Sequence, residues 1–196
     1  GGKGQYLVKN KKMTAPSFDS FGWLWVAESD GAVRAYNAAS TNEKERSKGI
    51  EIPVSWRSGM TFSSLRISHD GARVVVVGTR DGTAAVVMSG VVRDSSGTPK
   101  GFTEPVRVTS SITPRTAVWA GEQNLVVVND KTGESEVTTL SGEETKFDRL
   151  DGVKSVSAAG NTSNMLAHRS DGSCYVLEER GWNRLNTSTR EMSFAG

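Results

Sequence analysis

The chain has 196 residues, 36% hydrophobic and 23% charged, a mix that supports a buried core and argues against wholesale disorder. Its 24 Lys plus Arg nearly balance 22 Asp plus Glu, and the basic residues are scattered along the chain, which removes support for nucleic-acid binding. The longest apolar runs, such as Val74 to Val77, are strand-sized and far short of the ~20 residues a membrane-spanning helix needs.

In chain order, Gln5 to Val8 has the character of a strand left over from a preceding unit, so residues 1–12 are set apart from 13–196. A hairpin follows: Trp23 to Ala27, the turn Asp30-Gly31, then Ala32 to Tyr36. The same pattern returns as Arg73 to Val77, Asp81-Gly82 and Thr83 to Met88. A third copy is Leu125 to Val128, Lys131-Thr132-Gly133 and Ser135 to Leu140, and a fourth is Met165 to His168, Asp171-Gly172 and Ser173 to Leu177. Asp-Gly between apolar runs is the strongest short-range hairpin signal, because both central residues of a type I′ turn need positive φ.

Each hairpin is flanked by two further short strands, which completes a four-stranded unit. The inner candidates are Thr14 to Phe18, Phe62 to Ile67, Ala117 to Ala120 and Val153 to Ala158; the outer ones are Ile50 to Trp56, Pro105 to Val108, Thr145 to Leu150 and Trp182 to Leu185. The turn glycines at 31, 82, 133 and 172 are 51, 51 and 39 residues apart. Polar insertions, Asn37 to Gly49 and Asp94 to Gly101, account for the longer intervals, and without them the period is about 40, the length of a propeller blade. Second strands that are apolar at consecutive positions need both faces covered, as stacked blades provide. The expected fold is all-β: a β-propeller segment of about four four-stranded blades, part of a larger propeller, with any helix confined to about 40–48 and both insertions on one end.

Ala15-Pro16-Ser17-Phe18-Asp19-Ser20-Phe21-Gly22-Trp23-Leu24-Trp25-Val26 resembles the segment that opens a blade in the propeller domain of the LpqB family of actinobacterial lipoproteins. Leu65 to Val77, Thr116 to Ala120 and the terminal Phe194-Ala195-Gly196 agree in order, although Met192 and Ala195 stand where that family has prolines. The Ser68-His69-Asp70-Gly71 element also resembles the turns of TolB-type propellers. The LpqB resemblance implies a protein on the outer side of the cytoplasmic membrane, held only through an upstream lipid anchor that this chain lacks, with a GerMN-type domain before the propeller. It further implies partnership with the extracytoplasmic part of an MtrB-like sensor kinase, and so a role in two-component signalling linked to cell-wall metabolism and division.

The residues offer little chemistry, and the protein is not expected to be an enzyme or to hold a metal or cofactor. A zinc site needs three or four converging ligands, whereas His69, His168 and Cys174 come from separate turns and strands. No Gly-x-Ser-x-Gly elbow or Gly-Lys-Ser/Thr phosphate cradle is present. Glu143-Glu144 and Glu178-Glu179 alternate across strands, and the glycosylation-type triplets at Asn161 and Asn186 are common by chance. Two alternatives stay open: a propeller hydrolase acting on an envelope glycan or lactone, and a TolB-like scaffold in an envelope complex.

In a propeller, the turns between second and third strands and the links between blades open on one end. That places Asp30, Arg57, Ser58, Met60, Arg80, Asp81, Thr113, Arg115, Asp130, Lys131, Arg169 and Asp171 on a rim of Met and Arg character suited to protein recognition. Arg57, Arg80, Asp81, Arg115 and Arg169 are the first candidates for contact with the kinase. Trp23, Trp25, Trp56, Trp119 and Trp182 all fall on expected strands and most are expected to fill the wedge between blades, with an exposed aromatic patch of Trp23 and Trp25 beside Phe18 and Phe21 as the alternative.

Overall fold

The computed structural model describes residues 6–8, 11–28, 32–56, 58–140, 149–158, 165–178 and 181–185. They fall into two compact units, one ending at Thr109 and the other beginning at Ser110.

In the first unit, β1 (Tyr6–Val8) pairs with β2 (Lys11–Met13). A four-stranded antiparallel sheet then runs in chain order through β3 (Ser17–Phe18), β4 (Trp23–Ala27), β5 (Val33–Asn37) and β6 (Ile50–Ile52). The expected strands Thr14 to Phe18 and Ile50 to Trp56 are both shortened. Pro53, which lacks the N–H that a ladder requires, stands where β6 ends, and Pro16 interrupts the first ladder, which resumes with the Thr14 N–H on the Ala27 carbonyl and the Met13–Glu28 bridge. The insertion between β5 and β6 folds as α1 (Glu43–Lys48). The Asn42 side chain accepts the Lys44 N–H, and Glu43 and Glu45 in the first turn with Arg46 and Lys48 in the last complement the helix dipole. None of its residues is buried, so local capping rather than packing accounts for it.

The second sheet of this unit contains β7 (Thr61–Ile67), β8 (Arg73–Arg80) and β9 (Thr83–Arg93), with β11 (Val106–Val108) beside the first half of β9. The second half of β9 continues past β11 and pairs with β10 (Pro99–Phe102). The insertion Asp94 to Gly101 is therefore a hairpin extension rather than a loose loop. Its tip is tied by the Asp94 carboxylate, which accepts the Ser96 and Thr98 N–H groups. Both insertions follow the third strand of their sheet, as the spacing predicts.

The two sheets share one core, in which Trp25, Ala27, Val33 and Ala35 meet Leu65, Ile67, Val74 and Val76. Val74 to Val77 are all at most 1% exposed, so both faces of β8 are covered. Rings close the edge of this core: Phe102 lies 5.9 Å from Trp25 and 6.3 Å from Trp56, and Phe62 lies 6.0 Å from Trp56. Trp56 departs from expectation, because it sits in a turn beyond β6 and not on a strand.

The second unit begins with β12 (Thr116–Ala120), β13 (Asn124–Asn129) and β14 (Glu134–Thr139). Of the expected outer strand Thr145 to Leu150, only Arg149 and Leu150 lie within the described residues. The next sheet has four strands, β15 (Val153–Ala158), β16 (Met165–Arg169), β17 (Cys174–Glu178) and β18 (Gly181–Arg184). Val118, Val126, Val128 and Val137 of one sheet and Val153, Met165, Ala167 and Leu177 of the other make a second core. Gly133 fixes their approach: at φ 78° its missing Cβ would lie 3.0 Å from the Gly152 backbone, and its carbonyl accepts the Val153 N–H.

Candidate functional site

The rim positions divide between the two units, and Arg57 and Asp30 lie outside the described residues. In the first unit, Arg80 ends β8 and its exposed guanidinium donates to the Trp56 carbonyl at 3.1 Å, tying the β8–β9 turn to the β6–β7 link. Asp81 follows at φ 52° and Gly82 at φ 77°, the pair of left-handed residues that a two-residue hairpin turn demands. Met60, expected on the rim, is 9% exposed and belongs to the core. Its thioether fills the space beside Gly78, where a Cβ would stand 2.5 Å from the sulfur.

In the second unit the arginines are paired with neighbours. Arg115 precedes β12 and donates through Nε to Asp130 Oδ1 in the β13–β14 turn at 2.8 Å, with both side chains substantially exposed. Asn129 braces that turn by accepting the Lys131 and Thr132 N–H groups and donating to the Thr113 carbonyl. Arg169 ends β16, donates through Nε to the Asp151 carbonyl at 2.9 Å, lies over the Tyr175 ring and approaches Asp171 at 3.6 Å. Arg149, which was not among the expected rim residues, donates to Glu134 at 2.5 Å. The Arg149 and Thr132 hydrogen bonds hold the Glu134 carboxyl below its ordinary range. The Ser173 hydroxyl and N–H do the same for Asp171.

Of the residues with reactive side chains, His69 belongs to the first unit and His168 and Cys174 to the second. His69 is exposed in the β7–β8 turn, while the buried Ser68 hydroxyl donates to Asp70 Oδ1 at 2.7 Å, so Ser68 and Asp70 meet as a turn brace with His69 outside it. His168 lies on β16 with Ser157 Oγ 3.3 Å from Nε2, and Cys174, directly across the ladder from it, is buried with its thiol pushed up by desolvation. Among the described residues no three His, Cys, Asp or Glu side chains converge as metal ligands, and no helix is long and apolar enough to cross a membrane. Glu143, Glu144, Glu179 and both glycosylation-type triplets lie outside the described residues.

One polar cluster has no local signal in the sequence. Asp19, whose side chain is fully buried, accepts from the Phe21 and Trp23 N–H groups and from Trp25 Nε1, and pairs with Arg93 at 2.8 Å across 74 residues. Arg93 also donates to the carbonyls of Gly71 and Gly97 and lies 4.4 Å over the Phe21 ring. Phe18 and Phe21 are 64% and 54% exposed, while Trp25 is fully buried, so the exposed aromatic surface expected near β3 consists of phenylalanine.

A family model described as the lipoprotein LpqB beta-propeller domain matches residues 1–192. The chain belongs to the LpqB β-propeller domain family. The resemblance carried by Ala15 to Val26 and Leu65 to Val77 is borne out. Two curated relatives are lipoprotein LpqB of Streptomyces avermitilis, 27% identical over 131 residues and 64% of this chain, and of Streptomyces coelicolor, 28% identical over 140 residues and 66%. In both, the match spans about a fifth (21%) of the relative's length. Among solved structures, the C-terminal WD40 domain of Sif2 aligns with 92% of this chain and 47% of its own at a TM-score of 0.57 and 14% identity. The Dos1 propeller aligns with 91% and 48% at a TM-score of 0.54 and 9% identity. At such identities these two establish the fold alone, and they agree with the LpqB assignment in making it a propeller.

Proposed function

We propose that this LpqB-family propeller segment is a non-enzymatic binding module of a lipid-anchored envelope protein. Its partner is the extracytoplasmic part of an MtrB-like sensor kinase, and its binding modulates two-component signalling tied to cell-wall metabolism and division. Family membership is the observation that carries the reading, and the exposed arginines supply the surface chemistry. Arg80 and Asp81 in the first unit, and Arg115 and Arg169 in the second, stand on turns and links fixed by the β-ladders, where binding residues are commonly found. Arginine is also enriched where proteins meet.

The test is calorimetric titration of the protein against the isolated kinase sensor domain. Binding is expected, and Arg80→Glu in the first unit and Arg115→Glu in the second, tested separately, should each weaken it while leaving the circular dichroism spectrum and unfolding midpoint in place. Unchanged affinity in a folded variant rejects that position as part of the contact. No binding by the parent protein rejects the partnership.

A further inference from the structure

Four Asp-Gly steps lie within the described residues, at 70–71, 81–82, 151–152 and 171–172, and they differ in how far the two reacting groups are held. The Asp70 carboxylate accepts the Ser68 hydroxyl and the Ala72 N–H, and the Gly71 N–H is donated to the Ser68 carbonyl. The Asp171 carboxylate accepts the Ser173 N–H and hydroxyl, and the Gly172 N–H is donated to the Arg169 carbonyl. At 151–152 the Gly152 backbone is packed between Gly133 and the Arg169 guanidinium. Neither restraint applies at 81–82: among the described residues no hydrogen bond or ion pair engages the Asp81 carboxylate or the Gly82 N–H. Gly82 also has no heavy atom within 4 Å of where a Cβ would stand. Asp81 is, besides, the one non-glycine residue at positive φ among those described, a conformation that L-residues adopt at a cost.

We infer that Asp81 is a site of spontaneous backbone modification, isomerising through a succinimide in preference to the other described Asp-Gly steps. The Gly82 nitrogen attacks Asp81 Cγ, a C–N bond forms, and a carboxyl oxygen leaves as water with one proton from the nitrogen and one from the carboxyl group. Water then opens the ring. Addition at Cγ restores aspartate, and addition at the former main-chain carbonyl leaves the chain running through Cβ as isoaspartate, with no net change in mass. The product adds a methylene to the tip of the β8–β9 hairpin, beside Arg80. This inference rests on turn geometry and is independent of the partner reading.

The whole chain is incubated warm at neutral pH, digested in acid, and mapped by electron-transfer fragmentation, which distinguishes isoaspartyl from aspartyl peptides of equal mass. Isoaspartate at 81 is expected to exceed that at 70, 151 and 171 several-fold, to vanish in Asp81→Glu, and to lose its lead when the incubation is repeated in denaturant. Ser173→Ala should raise the yield at 171. Equal yields in the folded chain, no product at 81, or a preference for 81 that persists in denaturant would each overturn the inference.

Discussion

Arg93 Nη2 lies 2.8 Å from Asp19 Oδ2, joining the extended β9–β10 hairpin of one sheet to the β3–β4 loop of its neighbour. The pair is fully engaged, since Asp19 also accepts from two backbone N–H groups and the Trp25 indole, and Arg93 also donates to two carbonyls. Removing one partner of such a pair leaves a buried charge uncompensated, which costs about 3–5 kcal/mol. Asp19→Ala and Arg93→Ala should each fall near that range in urea unfolding. The double variant should cost less than the sum of the two. Strict additivity would show that the contact contributes no coupling.

Gly133 and Gly82 have nearly the same φ, 78° and 77°, in opposite surroundings. A Cβ at 133 meets the Gly152 backbone at 3.0 Å, whereas at 82 it meets nothing within 4 Å. Gly82→Ala should therefore cost only the left-handed strain of about 1–2 kcal/mol. Gly133→Ala adds an overpacking penalty of about 1–3 kcal/mol, because backbone cannot rotate out of the way. Thermal unfolding of the two variants, compared at equal concentration, measures the difference.

The strands are legible because their determinants are local. Asp-Gly between apolar runs marks β8–β9 and β16–β17, and unbroken valines mark β8 and β13 as strands covered on both faces. What the sequence conceals depends on register or on distant partners. The continuation of β9 to Arg93 is visible only once β10 is in place to pair with it. Met60 looks like a rim residue because it follows a link, yet Gly78 on β8 opens the space that draws it inward. Of the candidate partner-binding residues, the turn positions of Arg80, Asp81, Arg115 and Arg169 could be read from strand order. Their engagement with Trp56, Asp130, Asp151 and Tyr175 could not, because it depends on which loops lie beside one another.

The depressed carboxyls at Asp171, Glu134 and Asp94 make a statement about acid. A folded pKa below the unfolded one contributes stability that is present above the unfolded value and lost as pH falls through the folded value. The ordinary values are 3.8 for Asp and 4.5 for Glu, so stability should be flat near neutrality and decline below roughly pH 4–5. All three groups are exposed, and the decline should be shallow and reduced by salt. NMR titration should find Asp171 below its ordinary value, and Ser173→Ala should move it back up. An unshifted Asp171 in the parent protein would show that the Ser173 bonds do not persist in solution.

Charge reversal at the candidate arginines should separate them by how they are held. Arg115 forms an exposed pair with Asp130, a kind of contact worth about 0–1 kcal/mol, and Arg80 makes a single exposed bond to a carbonyl. Arg115→Glu and Arg80→Glu are therefore expected to shift stability by no more than about 1 kcal/mol. Arg169 differs, because it stacks on Tyr175, donates to the Asp151 carbonyl and packs 3.2 Å from where a Gly152 Cβ would lie, at the junction of the two sheets of its unit. Arg169→Glu removes those contacts and places a carboxylate beside Asp171 and Asp151, so it should destabilise measurably more than the other two in urea unfolding. A loss of kinase-domain affinity in Arg169→Glu would then mix fold and surface effects, whereas the same loss in Arg80→Glu or Arg115→Glu would report on the surface. Equal stability across all three variants would show that the Arg169 contacts are as loosely held as the Arg115 pair.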